Sequence, residues 1–319
     1  MKKTLLILCG LVLFSLPFFG KGKTENPAAK VEKKASVEDW RTKYPKIIYS
    51  VVTGENEADR VKRYKPFIEY LKKELKTGVE FHVASDYAGV IEGVVAKKVH
   101  FAGFGSKSYS DAWTAAEGDV EPLVVSIDQY NSTGYHSVIC VRADSSYQKL
   151  DDLKGKSFAF ADPGSTSGFL IPTYYLRKSG RNPDDFFGKI GFSGSHENGV
   201  MALLNNTYEA VPTWWRNEDY SNLTRMAKKD MIKMEDIRII WKSPLIPNGP
   251  VAAIKSLPQQ MKDDMRNALI TLPKKEPEVF HNMYDGQISG YQAVSHDRWL
   301  DIIKMRDEEL KTRKEKAKG

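Results

Sequence analysis

The chain has 319 residues, 41% of them hydrophobic and 28% charged, with a formal net charge of +7. That apolar share excludes a disordered chain and is ample for a buried core, and the length favours two domains or lobes over one. Two cysteines, Cys9 and Cys140, exclude a disulfide framework, and no spacing resembles a zinc module.

Lys2 and Lys3 precede an apolar run from Leu5 to Phe19, broken by Pro17 and followed by Gly20-Lys21-Gly22. A basic start, a short apolar run and small residues past a helix breaker describe a secretory signal peptide over residues 1–20. The mature protein is then periplasmic or otherwise extracytoplasmic. The run is shorter than the ~20 apolar residues of a spanning helix; the alternative is an uncleaved anchor. Cys9 follows Leu8 in mid-run, which argues against lipid attachment, and cleavage leaves Cys140 without an internal partner. Residues 21–38, rich in Lys, Glu and Ala without a hydrophobic period, read as a flexible tether.

From about Trp40, short β-rich runs alternate with helical patterns. Lys46–Thr53 reads as a strand, followed by helical spacing of Val61, Tyr64, Phe67, Ile68, Leu71 and Leu75. Val79–Val83, Val99–Phe104, Glu121–Ile127 and His136–Val141 read as further strands, with a helix over Asp86–Lys97. Past a turn at 151–155 the pattern restarts: strand Ser157–Ala161, a helix from Ser165, strand Lys189–Phe192, a helix from His196, strand Tyr208–Val211. Strands at Ile237–Trp241 and Pro250–Ile254 and helices near Gln259–Thr271 and His296–Thr312 complete the chain. Such alternation predicts parallel sheets covered by helices, in two lobes joined by two crossings. Function is then sought at strand-to-helix turns.

The most informative turn is Ala161-Asp162-Pro163-Gly164-Ser165-Thr166-Ser167-Gly168. A helix start has unpaired N–H groups and a positive dipole end, three hydroxyls add donors, and flanking glycines admit close approach. This suits an oxyanion cradle; it equally suits an ordinary N-cap at Ser165. Phe192-Ser193-Gly194-Ser195-His196 is a second such turn, with His196 as either oxyanion donor or structural histidine. In the other half, Ser85-Asp86-Tyr87 opens a helix and Gly103-Phe104-Gly105 ends a strand, so Tyr87 and Phe104 are either ligand contacts or ordinary cap and core residues. Gly155-Lys156-Ser157 imitates the end of a phosphate-binding loop, but Leu150 stands at the required upstream glycine and a strand follows. Neither GxGxxG, GxSxG nor HExxH occurs, so the sequence supports no nucleotide, metal or other cofactor.

Between about Ile47 and Lys255 the chain resembles the periplasmic substrate-binding proteins of phosphonate/phosphite ABC transporters. The resemblance rests on Tyr64-Lys65-Pro66-Phe67, SDYAGVIEGV (85–94), FAGFGSKSY (101–109), TGYHSVICV (133–141), DPGSTSGFLIPTYY (162–175), GSHENGVMALLNN (194–206) and WKSPLIPNGP (241–250). It implies an α/β fold of the type II periplasmic binding-protein kind, with two lobes around a ligand cleft. Lobe 1 would comprise 40–136 plus 246–319 and lobe 2 137–245. It implies that Ser165, Thr166 and Ser167 hold the phosphonate oxygens, with His196, Tyr87 and Phe104 in the cleft. Glu209, often Asp in relatives, would be either a proton acceptor or a structural residue. The implied partners are a small phosphonate or phosphite ligand and an ABC permease.

Three departures from the family pattern sharpen the ligand. Phe104 stands where many relatives have Tyr, which removes a hydroxyl contact. Aminoethylphosphonate binders carry an acidic residue where this chain has Gly249, and their other amine-pairing acid falls in Trp214-Trp215-Arg216, with Glu218 nearby. A buried ammonium without a partner is costly. The expected ligand is therefore methylphosphonate, phosphite or a similar oxyanion, with Trp214 or Trp215 over its apolar side. The competing readings are a ligand sensor for a signalling partner and a phosphoester hydrolase using Ser165 with His196. The basic excess sits at the ends: residues 1–20 carry +2, 21–38 carry +2 and 311–319 carry +4, leaving −1 for 39–310. That argues against a nucleic-acid face, and is compatible only with tails lying near an anionic membrane.

Overall fold

The computed structural model describes residues 39–52 and 54–316. The signal peptide expected over 1–20 and the tether over 21–38 lie outside the described residues. In chain order the first part runs α1 (Trp40–Lys43), β1 (Lys46–Val51), α2 (Glu57–Leu75), β2 (Gly78–His82), α3 (Tyr87–Val95), β3 (Phe101–Gly103), α4 (Ser106–Ala115) and β4 (Val120–Asp128). Next come β5 (Gly134–Arg142), β6 (Ser157–Phe160), a π-wound turn (Thr166–Leu170), α5 (Ile171–Lys178), α6 (Pro183–Phe186), β7 (Lys189–Phe192), α7 (His196–Leu204), β8 (Val211–Trp215) and α8 (Asn222–Ala227). The chain then forms β9 (Ile237–Lys242), β10 (Ile246–Pro247), β11 (Val251–Ile254), α9 (Gln259–Lys275), α10 (Pro277–Tyr284), β12 (Ile288–Ala293) and α11 (Leu300–Lys316).

The first lobe is built on a six-stranded sheet of order β12-β4-β11-β3-β1-β2. Strand β1 pairs in parallel with β2 and β3, whereas β11 runs antiparallel to β3 and β4, and β12 antiparallel to β4. In the second lobe β5 is the central strand, antiparallel to β8, β9 and β10, and β6 pairs in parallel with β7. The wholly parallel sheets expected from the alternation are thus mixed. Parallel neighbours need a crossover helix between them, and β4, β5, β10 and β11 carry the chain between lobes without one.

Helix α2 shows how the local pattern selects the fold. Asn56 caps it by accepting the Asp59 N–H at 3.0 Å, and Tyr64, Phe67, Ile68, Leu71 and Leu75 form its buried stripe. Trp299, Tyr49, Tyr109, Phe67 and Phe101 are among the fully buried side chains of the first lobe, and Phe158, Ile139 and Leu153 of the second. The strand expected over Tyr208–Val211 is displaced to Val211–Trp215. Pro212 hides it in the sequence, yet proline is tolerated here because β8 ends its sheet.

The lobes are connected through 129–133 and 243–250, and α11 packs against both α4 and the π-wound turn. Arg313 of α11 stacks over Phe169 at 4.4 Å, and Glu309 pairs with Arg177. Cys140 is free and buried. Among the described residues no helix is long and apolar enough to cross a membrane.

Candidate functional site

After β6 the turn at 161–164 delivers three hydroxyl residues to a helix start. Ser165 is the N-cap, its Oγ accepting the Gly168 N–H at 3.0 Å. The chain then winds as a π turn, a geometry found disproportionately at functional sites. Ser165, Thr166 and Ser167 are all buried and line a cavity of about 260 Å³ between the lobes.

His196 opens α7 beneath this turn. Its Nδ1 lies 3.2 Å from Thr213 Oγ1 and its Nε2 lies 3.3 Å from Ser165 Oγ. Burial pushes the imidazole down to about 4, so the ring is neutral at neutral pH. It lines the same cavity.

The opposite wall comes from the first lobe. Tyr87 begins α3 behind the Asp86 cap, and Phe104 follows β3; both are buried and both line the cavity. Tyr87 packs so closely on Gly164 that a Cβ there would lie 2.7 Å from its own Cβ, so the turn needs glycine. Burial, and secondarily the Asp162 carboxylate, raise the Tyr87 phenol, keeping it a neutral donor. Helix α4 also starts here, and its Lys107 N–H donates to Thr166 Oγ1 at 2.8 Å across the cleft. The starts of α3, α4, α7 and the serine turn therefore converge, each contributing a positive dipole end.

Two further cavity residues, both inside stretches quoted for the resemblance or its departures but neither given there as a ligand contact, stand outside the helix-start turns. Tyr135 of β5 brings its hydroxyl beside those of Thr166 and Ser167; burial raises its pKa and these two hydrogen bonds work against that rise. Its signal is the strand's two-residue alternation, which puts Tyr135 on the face of Ser137, whose Oγ donates to the Ser167 carbonyl at 2.6 Å. Arg216, just past β8, also lines the cavity. Its Nη2 donates to Asn248 Oδ1 at 3.0 Å, and its Nη1 lies 3.6 Å from Asp128 Oδ2.

Of the remaining expected residues, Trp214 lines the cavity, edge-on to Tyr220 at 5.2 Å between ring centroids. Glu209 does not line it. Its carboxylate accepts from Ser157 N–H at 2.7 Å, Ser157 Oγ at 3.1 Å and Tyr147 Oη at 2.8 Å. Burial works to raise this carboxyl, but those donors, the Ser157 amide foremost, bring it below the ordinary range. Its oxygens are spent on anchoring the edge of β6. Gly249 is in the cavity wall, and a Cβ there would lie 1.9 Å from the Phe104 carbonyl oxygen, so no acidic side chain fits.

An ionic network closes the cleft. Arg225 of α8 reaches Glu55 at 2.6 Å and Asp285 at 3.2 Å, and Arg63 of α2 reaches the same two acids at 3.3 and 3.1 Å. Lys229 joins Asp59 at 2.6 Å and Glu197 at 2.8 Å. Chemically, the site offers neutral donors to an oxyanion. Ser165 has no Ser-His-acid relay behind it, because His196 meets the Thr213 hydroxyl where a carboxylate would be needed. Among the described residues no cluster of His, Cys, Asp and Glu is placed to hold a metal.

Residues 49–300 match the family described as the periplasmic substrate-binding protein of phosphonate ABC transporters. The chain is 32% identical over 235 residues to the phosphonates-binding periplasmic protein of Escherichia coli K12, covering 72% of this chain and 67% of that protein. It is 33% identical over 228 residues to the phosphate-import protein PhnD of Mycolicibacterium smegmatis, covering 69% and 70%. The fold superposes on a binding protein component of an ABC phosphonate transporter from Pseudomonas aeruginosa with a TM-score of 0.75, at 26% identity and 86% and 89% coverage. The two-lobed α/β architecture, the transport role and the absence of an enzymatic one follow from this kinship: the chain belongs to the periplasmic phosphonate-binding family of ABC-transporter substrate-binding proteins.

Proposed function

We propose that the protein captures a small phosphorus oxyanion without an ammonium group, methylphosphonate or phosphite, outside the cytoplasm and delivers it to a membrane permease. The observation that carries this reading is the convergence of Ser165, Thr166, Ser167, Tyr87, Tyr135 and neutral His196 on one cavity. The named relatives act on phosphonates and on phosphate, which share the tetrahedral oxyanion such a cradle suits. Neutral hydroxyls and helix N–H groups hold an anion without burying a fixed counter-charge, so release remains affordable. Closure of the lobes brings Tyr87 and Phe104 over the ligand, excludes water and presents the closed surface to the permease. Export through residues 1–20 places the protein where that permease collects its substrate.

The exclusion of an amine rests on charge. Gly249 leaves no space for an acid, and Arg216 adds a guanidinium to the cavity lining. Glu55 also lines the cavity, but Arg225 at 2.6 Å and Arg63 at 3.3 Å already balance it. Calorimetric titration of ligand-free protein with methylphosphonate, phosphite, aminoethylphosphonate and phosphate tests the proposal. Methylphosphonate or phosphite is expected to bind tightest, and Ser165→Ala and His196→Ala each to weaken binding about tenfold. Unchanged affinity in both variants overturns the site, and preference for aminoethylphosphonate overturns the charge reasoning.

A further inference from the structure

One backbone donor of the first lobe reaches a hydroxyl of the oxyanion cradle in the second. The first N–H groups of a helix have no partner within it. In α4 the Lys107 N–H finds its acceptor across the cleft, in Thr166 Oγ1 at 2.8 Å, and the bond is buried.

Both partners are held from behind. In the first lobe Ser106 Oγ donates to the Pro247 carbonyl of the 243–250 crossing at 2.6 Å. The Lys107 ammonium is tied to Asp111 at 2.6 Å, and Asp111 is bound in turn by Arg306 of α11 at 2.8 Å. In the second lobe the Ser167 carbonyl accepts from Ser137 Oγ, and Ser165 Oγ accepts from the Gly168 N–H. The bond between Lys107 and Thr166 therefore belongs to the closed lobes, and opening hands the Lys107 N–H to water.

A hydroxyl accepts and donates at once, but has one proton to give. With Thr166 Oγ1 accepting from Lys107, its proton is left for the cavity, where the Tyr135 hydroxyl stands beside it. An anionic oxygen is a stronger acceptor than a neutral phenol. Accepting from an N–H also polarises the O–H and makes it a better donor. The flanking serines differ. Ser165 meets the first lobe through the Tyr87 side chain, which can follow it by rotation as a backbone N–H cannot. The Ser167 neighbours Tyr135 and Ser137 both lie on β5.

We infer that Thr166 couples lobe closure to ligand capture: its oxygen takes the Lys107 N–H of the first lobe while its proton goes to an oxygen of the ligand, so each bond strengthens the other. This rests on the phosphonate reading above. The coupling is reciprocal by linkage. A ligand in the cradle favours closure, and without the Thr166 oxygen closure strands the Lys107 N–H in a buried place.

Amide hydrogen exchange at Lys107, followed by NMR on the whole mature protein with and without saturating methylphosphonate, tests the coupling, because protection of this N–H reports the closed-to-open ratio. Calorimetry sets the saturating concentration for each variant. In wild type the ligand is expected to slow exchange at least about tenfold. In saturated Thr166→Val, of nearly the same shape, protection is expected to fall about tenfold or more below wild type, and Thr166→Ser to restore it to within about threefold. Thr166→Ala repeats the comparison should the valine variant not fold. Ser167→Ala, which weakens binding from within the second lobe, is expected to keep protection within about threefold of wild type once saturated. Wild-type protection without the Thr166 hydroxyl, or an equal loss in Ser167→Ala, overturns the inference. Binding that leaves wild-type Lys107 exchange unchanged sinks the inference alone, whereas failure of methylphosphonate, phosphite and phosphate all to bind sinks the phosphonate reading and the inference with it.

Discussion

His196 offers a sharp quantitative test, because its burial ties the site to the stability of the fold. The ring is 4% exposed, its nitrogens face the Ser165 and Thr213 hydroxyls, and burial lowers its pKa from 6.5 to about 4. Between these values the unfolded chain takes up a proton that the folded chain refuses. The stability held by the neutral ring is therefore complete above pH 6.5 and is lost as the pH falls toward 4. At about 1.4 kcal/mol per pH unit the gap caps this effect at roughly 3 kcal/mol, of which about 2.5 kcal/mol develops between pH 7.0 and pH 4.5. Urea denaturation of ligand-free wild type and of His196→Gln at both pH values measures it. The carboxylates titrate in both proteins, so the difference between the two losses isolates the histidine. Wild type is expected to lose about 2.5 kcal/mol more than the variant on acidification. Equal losses would refute the claim that a neutral imidazole is built into the cradle.

Glu209→Gln is expected to cost about 1–2 kcal/mol of unfolding free energy, by mismatching the Ser157 and Tyr147 donors. Its ligand affinity should stay within about twofold of wild type by calorimetry; a larger loss would return Glu209 to the site. Gly249→Asp should not create an amine-binding protein: with a Cβ 1.9 Å from the Phe104 oxygen, thermal melting should show a loss on the order of 2 kcal/mol or more. A stable variant with new affinity for aminoethylphosphonate would contradict that. Lys229→Gln, which touches Asp59 across the cleft and Glu197 of its own lobe but does not line the cavity, is expected to weaken every ligand by the same factor, about threefold to tenfold. A changed order of ligand preference would show that the network acts on the ligand rather than on closure.

The legible and illegible parts of this site differ in how far apart along the chain their causes lie. The Ser165–Ser167 turn and His196 announce themselves because a strand end, a cap and a helix start fit within a few consecutive residues. Tyr135 and Arg216 gain their meaning only from pairing between strands distant in sequence: Ser137 opposite Trp214 in the β5–β8 ladder, and Asn248 opposite Arg216 across the crossing. The same cause leaves Glu209 open in the sequence between a proton acceptor and a structural residue; the ladder starts only at Val211, and the Glu209 carboxylate accepts from the Ser157 N–H. Charge shows the limit most clearly. Residues 39–310 sum to −1, which suggests a body with little field. Inside it, Arg63, Arg216 and Arg225 face Glu55, Asp128 and Asp285 within 3.6 Å. A pairing of equal numbers is invisible to any count over the sequence, and only the folded geometry brings these charges face to face at the cleft.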